Sequence, residues 1–287
     1  MSAGTASATK GIAALPNPED APQPESPAGQ SLANIAAAQP IAPWWHTVLL
    51  VAGIVLISFA GAKEFTGPHT PRVDRMGTYA ITAVTELTML AWIWFGLRLK
   101  RVRFRSLIGD LESGVRGLAI DLGVAGIFWT GSLFVLASLG IMWQVADAVA
   151  HHRAFAPNGQ PDATQQHTIH TLLRLAPATA SEIAAWILVC ALAGFAEEIV
   201  FRGYLQRQFT AWGRGALWCG VVFSAILFGM AHGYQGARNM VLLSVFGALF
   251  SLLAIFRRSL RAGMIAHAWQ DLIAGLGLAL LHSRHFI

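Results

Sequence analysis

Long apolar runs separated by short polar or basic breaks dominate the chain from Trp44 onward. A transmembrane helix needs about 20 mostly apolar residues, and seven runs approach that length. The predicted helices cover 46–62, 77–97, 115–142, 179–209, 216–232, 239–256 and 262–282. The pattern predicts an all-α polytopic membrane protein with about seven transmembrane helices, and an eighth would have to lie within 144–178.

The segments around these runs divide the chain into four regions. Residues 1–43 hold seven of the twelve prolines and predict a disordered Pro/Ala-rich tail, because little there can bury a core. Residues 44–143 carry the first three helices, 144–178 form a polar connection, and 179–287 carry the remaining four. Within the connection, 165–175 predicts a short amphipathic helix on the membrane surface, and its histidine spacing matches no closed zinc pattern.

Composition agrees with this interpretation and limits the classes of partner that the protein is expected to bind. The chain is 55% hydrophobic and only 12% charged, whereas a soluble domain carries about 25% charged residues. No basic stripe has interleaved aromatic residues, so the net charge of +5 does not indicate nucleic-acid binding. Both cysteines lie in apolar runs, which argues against a disulfide framework. The expected partners are membrane lipids and a membrane-associated protein or peptide substrate.

The distribution of Lys and Arg predicts the orientation. With a cytoplasmic N-terminus, twelve of these residues face the cytoplasm, including the cluster at 98–105, and seven face the opposite side. The positive-inside rule therefore favours a cytoplasmic N-terminus. We expect an integral protein of the plasma membrane of a prokaryote, and the pattern leaves the oligomeric state open.

Two adjacent carboxylates and an arginine follow the apolar run of the fourth helix, where a charge costs on the order of 3 kcal/mol. Glu198 and Arg202 are four residues apart, so they share a helix face and can neutralise each other. Glu197 lies about 100° round the helix and has no local partner. An unpaired intramembrane carboxylate predicts a functional site. Glu86 and Asp121 are isolated acids, for which a structural hydrogen bond is the simpler interpretation.

Two later helices add histidines and a third carboxylate. The fifth helix carries Phe228-x-x-x-His232 and the seventh carries His267-x-x-x-Asp271, so both members of each pair point the same way. Glu198 and His232 lie at similar distances from the turn at 213–215, which places them at one depth. These side chains are predicted to meet in one polar pocket within the membrane.

Such a set can activate water in two ways. In one, His232, His267 and a carboxylate, Glu198 or Asp271, hold a divalent metal, zinc in first place, and a free glutamate takes the proton. In the other, no metal takes part. A buried glutamate then acts as general base with His232, and His267 and Asp271 steady the developing oxyanion or its orientation.

The three motifs together resemble the CPBP family of intramembrane proteases. That family includes type II CAAX prenyl endopeptidases and bacterial homologues linked to bacteriocin self-immunity. The resemblance implies an endopeptidase with a membrane cavity, in which Glu197 is the base and His232 its partner. It also implies that His267 and residue 271 are metal ligands or oxyanion stabilisers. Position 271 is often Asn in the family; Asp271 cannot donate an amide hydrogen bond but is a better metal ligand, which favours the metal interpretation.

The predicted function is an intramembrane endopeptidase that hydrolyses peptide bonds of membrane-associated substrates. Its predicted catalytic residues are Glu197, Glu198, Arg202, His232, His267 and Asp271, and its predicted metal ligands are Glu198, His232, His267 and Asp271. The alternative is a non-catalytic immunity or scaffold protein that binds a partner through the same cavity.

Overall fold

Apolar helices make up most of the chain that the computed structural model describes, which is residues 39–66, 74–109, 114–152 and 163–283. The helices within these residues are α1 (Trp44–Thr66), α2 (Arg75–Leu99), α3 (Val115–Ala150), α4 (Ala163–Leu175), α5 (Ala180–Glu197), α6 (Gln206–Trp212), α7 (Leu217–Ala231), α8 (Ala237–Arg257) and α9 (Arg261–Ser283). A π-helical segment, Glu198–Leu205, joins α5 to α6. The predicted tail lies outside the described residues except at 39–43.

Six stretches of the described residues are long and apolar enough to cross a membrane, and α7 is a shorter apolar helix. The all-α polytopic fold is therefore confirmed. The fourth predicted helix is one apolar stretch, Ala180–Trp212, that contains α5, the π-helical segment and α6. The third predicted helix was too short, because α3 continues to Ala150 through residues that are still mostly apolar. The described part of 144–178 contains no eighth span, and α4 is only 13 residues long.

The π-helical segment lies at the centre of the molecule. All eight of its residues are buried, and its apolar members join the main hydrophobic core beside Phe228, Phe246 and Phe250. A π-helix carries more residues per turn than an α-helix, is rare, and is frequent at functional sites. The segment therefore changes the direction of successive side chains just where the two adjacent glutamates lie.

A chain of buried hydrogen bonds fixes the start of α1 against this central segment. His46 stacks on Trp92 with 4.6 Å between ring centroids and contacts the Trp92 carbonyl through Nε2 at 2.8 Å. Since that carbonyl can only accept, the Nδ1 atom of neutral His46 accepts from the Tyr204 hydroxyl at 2.7 Å. Thr47 contacts the same hydroxyl at 2.8 Å and receives a bond from Gln208 Nε2 at 2.9 Å.

Asp121 proves to be structural, as the simpler interpretation predicted. Its two carboxylate oxygens accept from Arg257 at 3.2 Å and from Arg261 at 2.8 Å. These arginines flank the turn between α8 and α9, so one acid of α3 fixes the ends of two other helices. Leu260 adds a backbone bond to Ile108 at 2.8 Å, which ties the same turn to the loop after α2.

We predict that Gln208→Leu destabilises the protein by on the order of 2–3 kcal/mol, because the substitution leaves buried donors without acceptors. Gln208 Oε1 accepts from the backbone N–H groups of Ile41 and Ala42, and Nε2 donates to the Ala42 carbonyl. Thermal unfolding in detergent measures the change.

The matched control is Ser138→Ala. This exposed hydroxyl donates only to a carbonyl of its own helix, so its loss changes stability by less than about 0.5 kcal/mol. Equal unfolding temperatures for the two variants would contradict the proposed anchoring role of Gln208.

Candidate active site

The predicted pairing of Glu198 with Arg202 is present and fully desolvated. Glu198 Oε1 accepts from Arg202 Nη1 at 2.8 Å, and the two side chains are 1% and 0% exposed. Removing both charges from water is costly, and their attraction offsets that cost only with good geometry and further hydrogen bonds.

Aromatic rings and a carbonyl supply the rest of the arginine's environment. The guanidinium carbon lies 4.3 Å from the Phe228 ring centroid and 4.9 Å from that of Phe250. Its Nη2 atom donates to the Gly247 carbonyl at 3.2 Å. A cation over an aromatic face is stabilised by about 2 kcal/mol when it is desolvated. The cage therefore holds the charge of Arg202 where water does not reach.

His267 of α9 connects the two adjacent glutamates with Asp271. Its side chain is 3% exposed, and its Nδ1 donates to Glu198 Oε1 at 3.2 Å. Its Nε2 lies 3.8 Å from Glu197 Oε2 and 3.8 Å from Asp271 Oδ2. One imidazole of α9 thus contacts three carboxylates, two of which come from α5 and the π-helical segment.

Two glycines allow α5 and α9 to approach this closely. A Cβ atom on Gly194 would lie 2.8 Å from the backbone nitrogen of Ala268, and a Cβ on Gly263 would lie 3.0 Å from Glu198 Oε2. Both positions are tighter than ordinary contacts, so a larger residue would force the helices apart and move His267 away from Glu198.

Glu197 differs from its neighbour in what its carboxylate does. Its side chain is 16% exposed, and its Oε2 atom is buried without a hydrogen-bond partner among the described residues. Asp271, on the other side of His267, is 36% exposed. Exposure therefore increases across the cluster, from the buried ion pair of Glu198 and Arg202, through Glu197, to Asp271. Glu197 lies between the two extremes and has an oxygen that accepts no hydrogen bond among the described residues.

His232 lies at the C-terminal end of α7, in contact with the same aromatic ring as His267. The Phe228 ring centroid is 4.8 Å from that of His232 and 5.8 Å from that of His267. His232 Nδ1 donates to the Phe228 carbonyl at 2.8 Å, so in the neutral ring Nε2 is left as an acceptor. The Phe228-x-x-x-His232 spacing therefore fixes the tautomer as well as the position.

Two further residues border the cluster. Tyr234, which was not predicted, lies with its ring centroid 6.1 Å from that of His232. Burial raises the pKa of Tyr234 to about 12, with smaller contributions from the charges of Asp271 and Glu197, so its hydroxyl stays protonated at neutral pH. Nothing in the sequence marks this tyrosine, because it follows the histidine in a short 3₁₀ turn.

Glu86 is the second residue that borders the cluster. The sequence interpretation left it as an isolated acid, but in the structure it is 6% exposed and its Oε2 has no hydrogen-bond partner among the described residues. The charges that act on its carboxyl belong to Glu197, His267 and Asp271. An acid of α2 thus borders the site, which only the packing of α2 against α5 could reveal.

Three of the four predicted metal ligands lie together, since His267 contacts both Glu198 and Asp271. Glu198 Oε1 already accepts from Arg202 and His267, and His232 Nδ1 donates to a carbonyl, so these two atoms are not available to a metal ion. Within the described parts of the chain, no group of three or more His, Cys, Asp or Glu side chains is placed to hold a metal ion. Metal binding stays a prediction, and we derive no catalytic step through a metal.

The comparison with protein families bears directly on this site. Residues 179–273 match the family model described as Type II CAAX prenyl endopeptidase Rce1-like. The matched segment contains all three motifs, so the resemblance predicted from them is confirmed: this part of the chain is similar to a family of CAAX-type endopeptidases. The match covers about a third of the chain. No curated protein and no solved structure matches the chain.

We predict that Arg202→Met and Glu198→Gln each destabilise the protein more than the double variant does. Arg202→Met leaves a buried acid without its cation, and Glu198→Gln leaves a buried guanidinium without its anion. Breaking a buried pair in this way costs about 3–5 kcal/mol, whereas removing both charges leaves none unpaired. Thermal unfolding of the three variants in detergent measures the difference.

The control is the partly exposed pair of Arg75 and Glu182, 3.7 Å apart. Arg75→Ala should cost less than about 1 kcal/mol, because water screens that pair. A double variant as unstable as the sum of the two single variants would show that the pairing itself contributes nothing.

Proposed function

We propose that this protein is an intramembrane endopeptidase in which Glu197 is the general base that activates water. The observation that carries the proposal is the contrast between two adjacent carboxylates. The Glu198 side chain is 1% exposed and its Oε1 accepts from both Arg202 and His267, whereas the Glu197 side chain is 16% exposed and its Oε2 has no hydrogen-bond partner among the described residues. The Oε2 atom of Glu198 also lacks such a partner, but it is enclosed together with the ion pair. A general base needs such an acceptor within reach of the proton it removes.

The proposed reaction gives a separate role to Glu197, His232 and His267. Glu197 takes a proton from a water molecule, and the resulting hydroxide attacks the carbonyl carbon of the peptide bond. The protonated Glu197 then gives that proton to the leaving amine as the carbon–nitrogen bond breaks. The Nε2 atom of His232, free to accept, orients the attacking water. His267 acts in its protonated form: its Nδ1–H donates to Glu198, and its Nε2–H donates to the developing oxyanion.

Arg202 has an indirect role in this proposal. It is sealed among aromatic rings and cannot touch a substrate. Its charge neutralises that of Glu198, and Glu198 in turn holds His267 in one orientation. Arg202 and Glu198 are therefore positioning residues, and Asp271 is the third carboxylate that faces the same imidazole.

We propose that the substrate is a membrane-associated protein or peptide that reaches the site from within the bilayer. The support is the burial of the cluster inside helices that are apolar enough to span a membrane, together with the family match. We also propose a cytoplasmic N-terminus in the plasma membrane of a prokaryote, for which the basic residues after α2 are the support.

We predict that Glu197→Gln and His232→Ala each lower the rate of peptide cleavage by at least about 100-fold, the usual size of general acid–base catalysis. The assay uses the purified full chain in lipid nanodiscs and a quenched-fluorescent peptide that ends in a prenylated CAAX sequence. A second peptide without the prenyl group tests whether the lipid is required.

The matched control is Glu182→Gln, which changes the same residue type at the other end of α5. Glu182 belongs to the capping box of that helix and not to the cluster, so its loss should leave the cleavage rate within about twofold. Full activity in both Glu197→Gln and His232→Ala would rule out the proposed mechanism. A cellular phenotype that survives both substitutions would support the non-catalytic immunity or scaffold alternative.

Removal of divalent metal tests whether a metal ion takes part in the cleavage. The proposed steps use Glu197, His232 and His267 without a metal ion, so we expect cleavage to continue after dialysis against a chelator. Metal analysis of the purified wild type, His232→Ala and His267→Ala provides the direct measurement. Stoichiometric zinc in the wild type, lost in both variants together with activity, would select the metal-assisted mechanism instead.

A further inference from the structure

A second polar feature lies away from the active site, where α2 leaves the membrane-spanning region. Five cations follow one another there within eight residues: Arg98, Lys100, Arg101, Arg103 and Arg105. All five are exposed. None of them forms an ion pair with a carboxylate in the part of the chain that the structure describes. This group of unneutralised cations has no role in the proposed hydrolysis.

Three of these cations line a groove. The cavity has a volume of about 630 Å³, and its lining consists of Arg98, Arg101, Arg103, Trp94, Val102 and Phe104. Small-molecule sites typically have volumes of about 300–1,000 Å³. Three guanidinium groups around one space repel one another, and an anion between them would relieve that repulsion.

The shape of the backbone and one aromatic contact build this groove. Arg101 adopts a left-handed conformation with φ of 57°, which is uncommon for a residue with a side chain and turns the chain sharply after α2. The Arg98 guanidinium carbon lies 4.5 Å above the Trp94 ring. A cluster that served only to set membrane orientation would need the charges alone, without a groove or a stacked arginine.

Two observations indicate where the anion comes from. The groove begins at the end of a membrane-spanning helix, which is the depth of lipid headgroups. Trp94 is 48% exposed and contributes an apolar wall beside the arginines, and tryptophan is enriched at this interface. A free phosphate needs only the cations, whereas a phospholipid also uses an apolar surface beside its headgroup.

We propose that this groove binds the phosphate of an anionic phospholipid headgroup, with Arg98, Arg101 and Arg103 as its ligands. Guanidinium groups bind phosphate oxygens in pairs of parallel hydrogen bonds. With the N-terminus in the cytoplasm, the groove faces the leaflet that carries anionic lipid and attracts basic segments.

The test measures lipid binding by native mass spectrometry of the purified full chain in a neutral detergent. The probes are short-chain phosphatidylglycerol, short-chain phosphatidylcholine and inorganic phosphate. We expect phosphatidylglycerol to bind at least about tenfold more tightly than phosphatidylcholine. Arg103→Gln should weaken phosphatidylglycerol binding about fivefold, and Arg98→Gln/Arg103→Gln more than tenfold, while phosphatidylcholine binding is unchanged. Arg101 is left unaltered because of its backbone conformation.

The matched control is Arg116→Gln, which removes one exposed cation at the start of α3, outside the lining of the groove. It should leave phosphatidylglycerol binding within about twofold of the wild type. An equal loss in Arg116→Gln and Arg103→Gln would overturn the proposal, because general charge attraction would then explain the binding. Displacement of the lipid by an equal concentration of inorganic phosphate would overturn the assignment to a lipid. None of these measurements depends on peptide cleavage.

Discussion

An ion pair without water around it, Glu198 with Arg202, is the constraint on which the rest of the site depends. Both side chains are almost completely buried, so neither charge could stay if its partner, the aromatic cage or the Gly247 carbonyl were missing. The two charges belong to the π-helical segment, Phe228 belongs to α7, and Phe250 and Gly247 belong to α8. The pair therefore requires the π-helical segment, α7 and α8 to pack together in one arrangement, and it fixes that arrangement in turn.

The ion pair also separates the roles of two adjacent glutamates. Glu198 is neutralised by Arg202 and its Oε1 is hydrogen-bonded to His267, whereas Glu197 is the more exposed of the two and its Oε2 has no hydrogen-bond partner among the described residues. Adjacent residues of the same type thus have different surroundings. The proposed mechanism uses this difference, because a general base must be accessible to water, whereas a group that orients a catalytic side chain must be bonded to it.

The short α7 differs from the helices that are long enough to span a membrane. A helix of 15 residues extends about 22 Å, less than the roughly 30 Å of the hydrocarbon layer. His232 lies directly after this helix, where the chain turns toward α8, and the ring of Tyr234 lies beside it. Within a hydrocarbon layer the polar backbone of such a turn is tolerated only beside protein or water.

The sequence by itself determined the class of fold and named most of the candidate site. Apolar length predicted the helices, although α3 continues eight residues beyond its predicted end. Spacings of four residues paired Glu198 with Arg202 and His267 with Asp271, because such pairs depend only on the geometry of a single helix. What the tertiary structure decided involves contacts between helices: it placed Glu86 and Tyr234 near the cluster, began a π-helical segment at Glu198, and brought His267 against Glu198. No local pattern contains that information, since it depends on how α2, α5, α7 and α9 pack and on which oxygen of each carboxylate is already bonded.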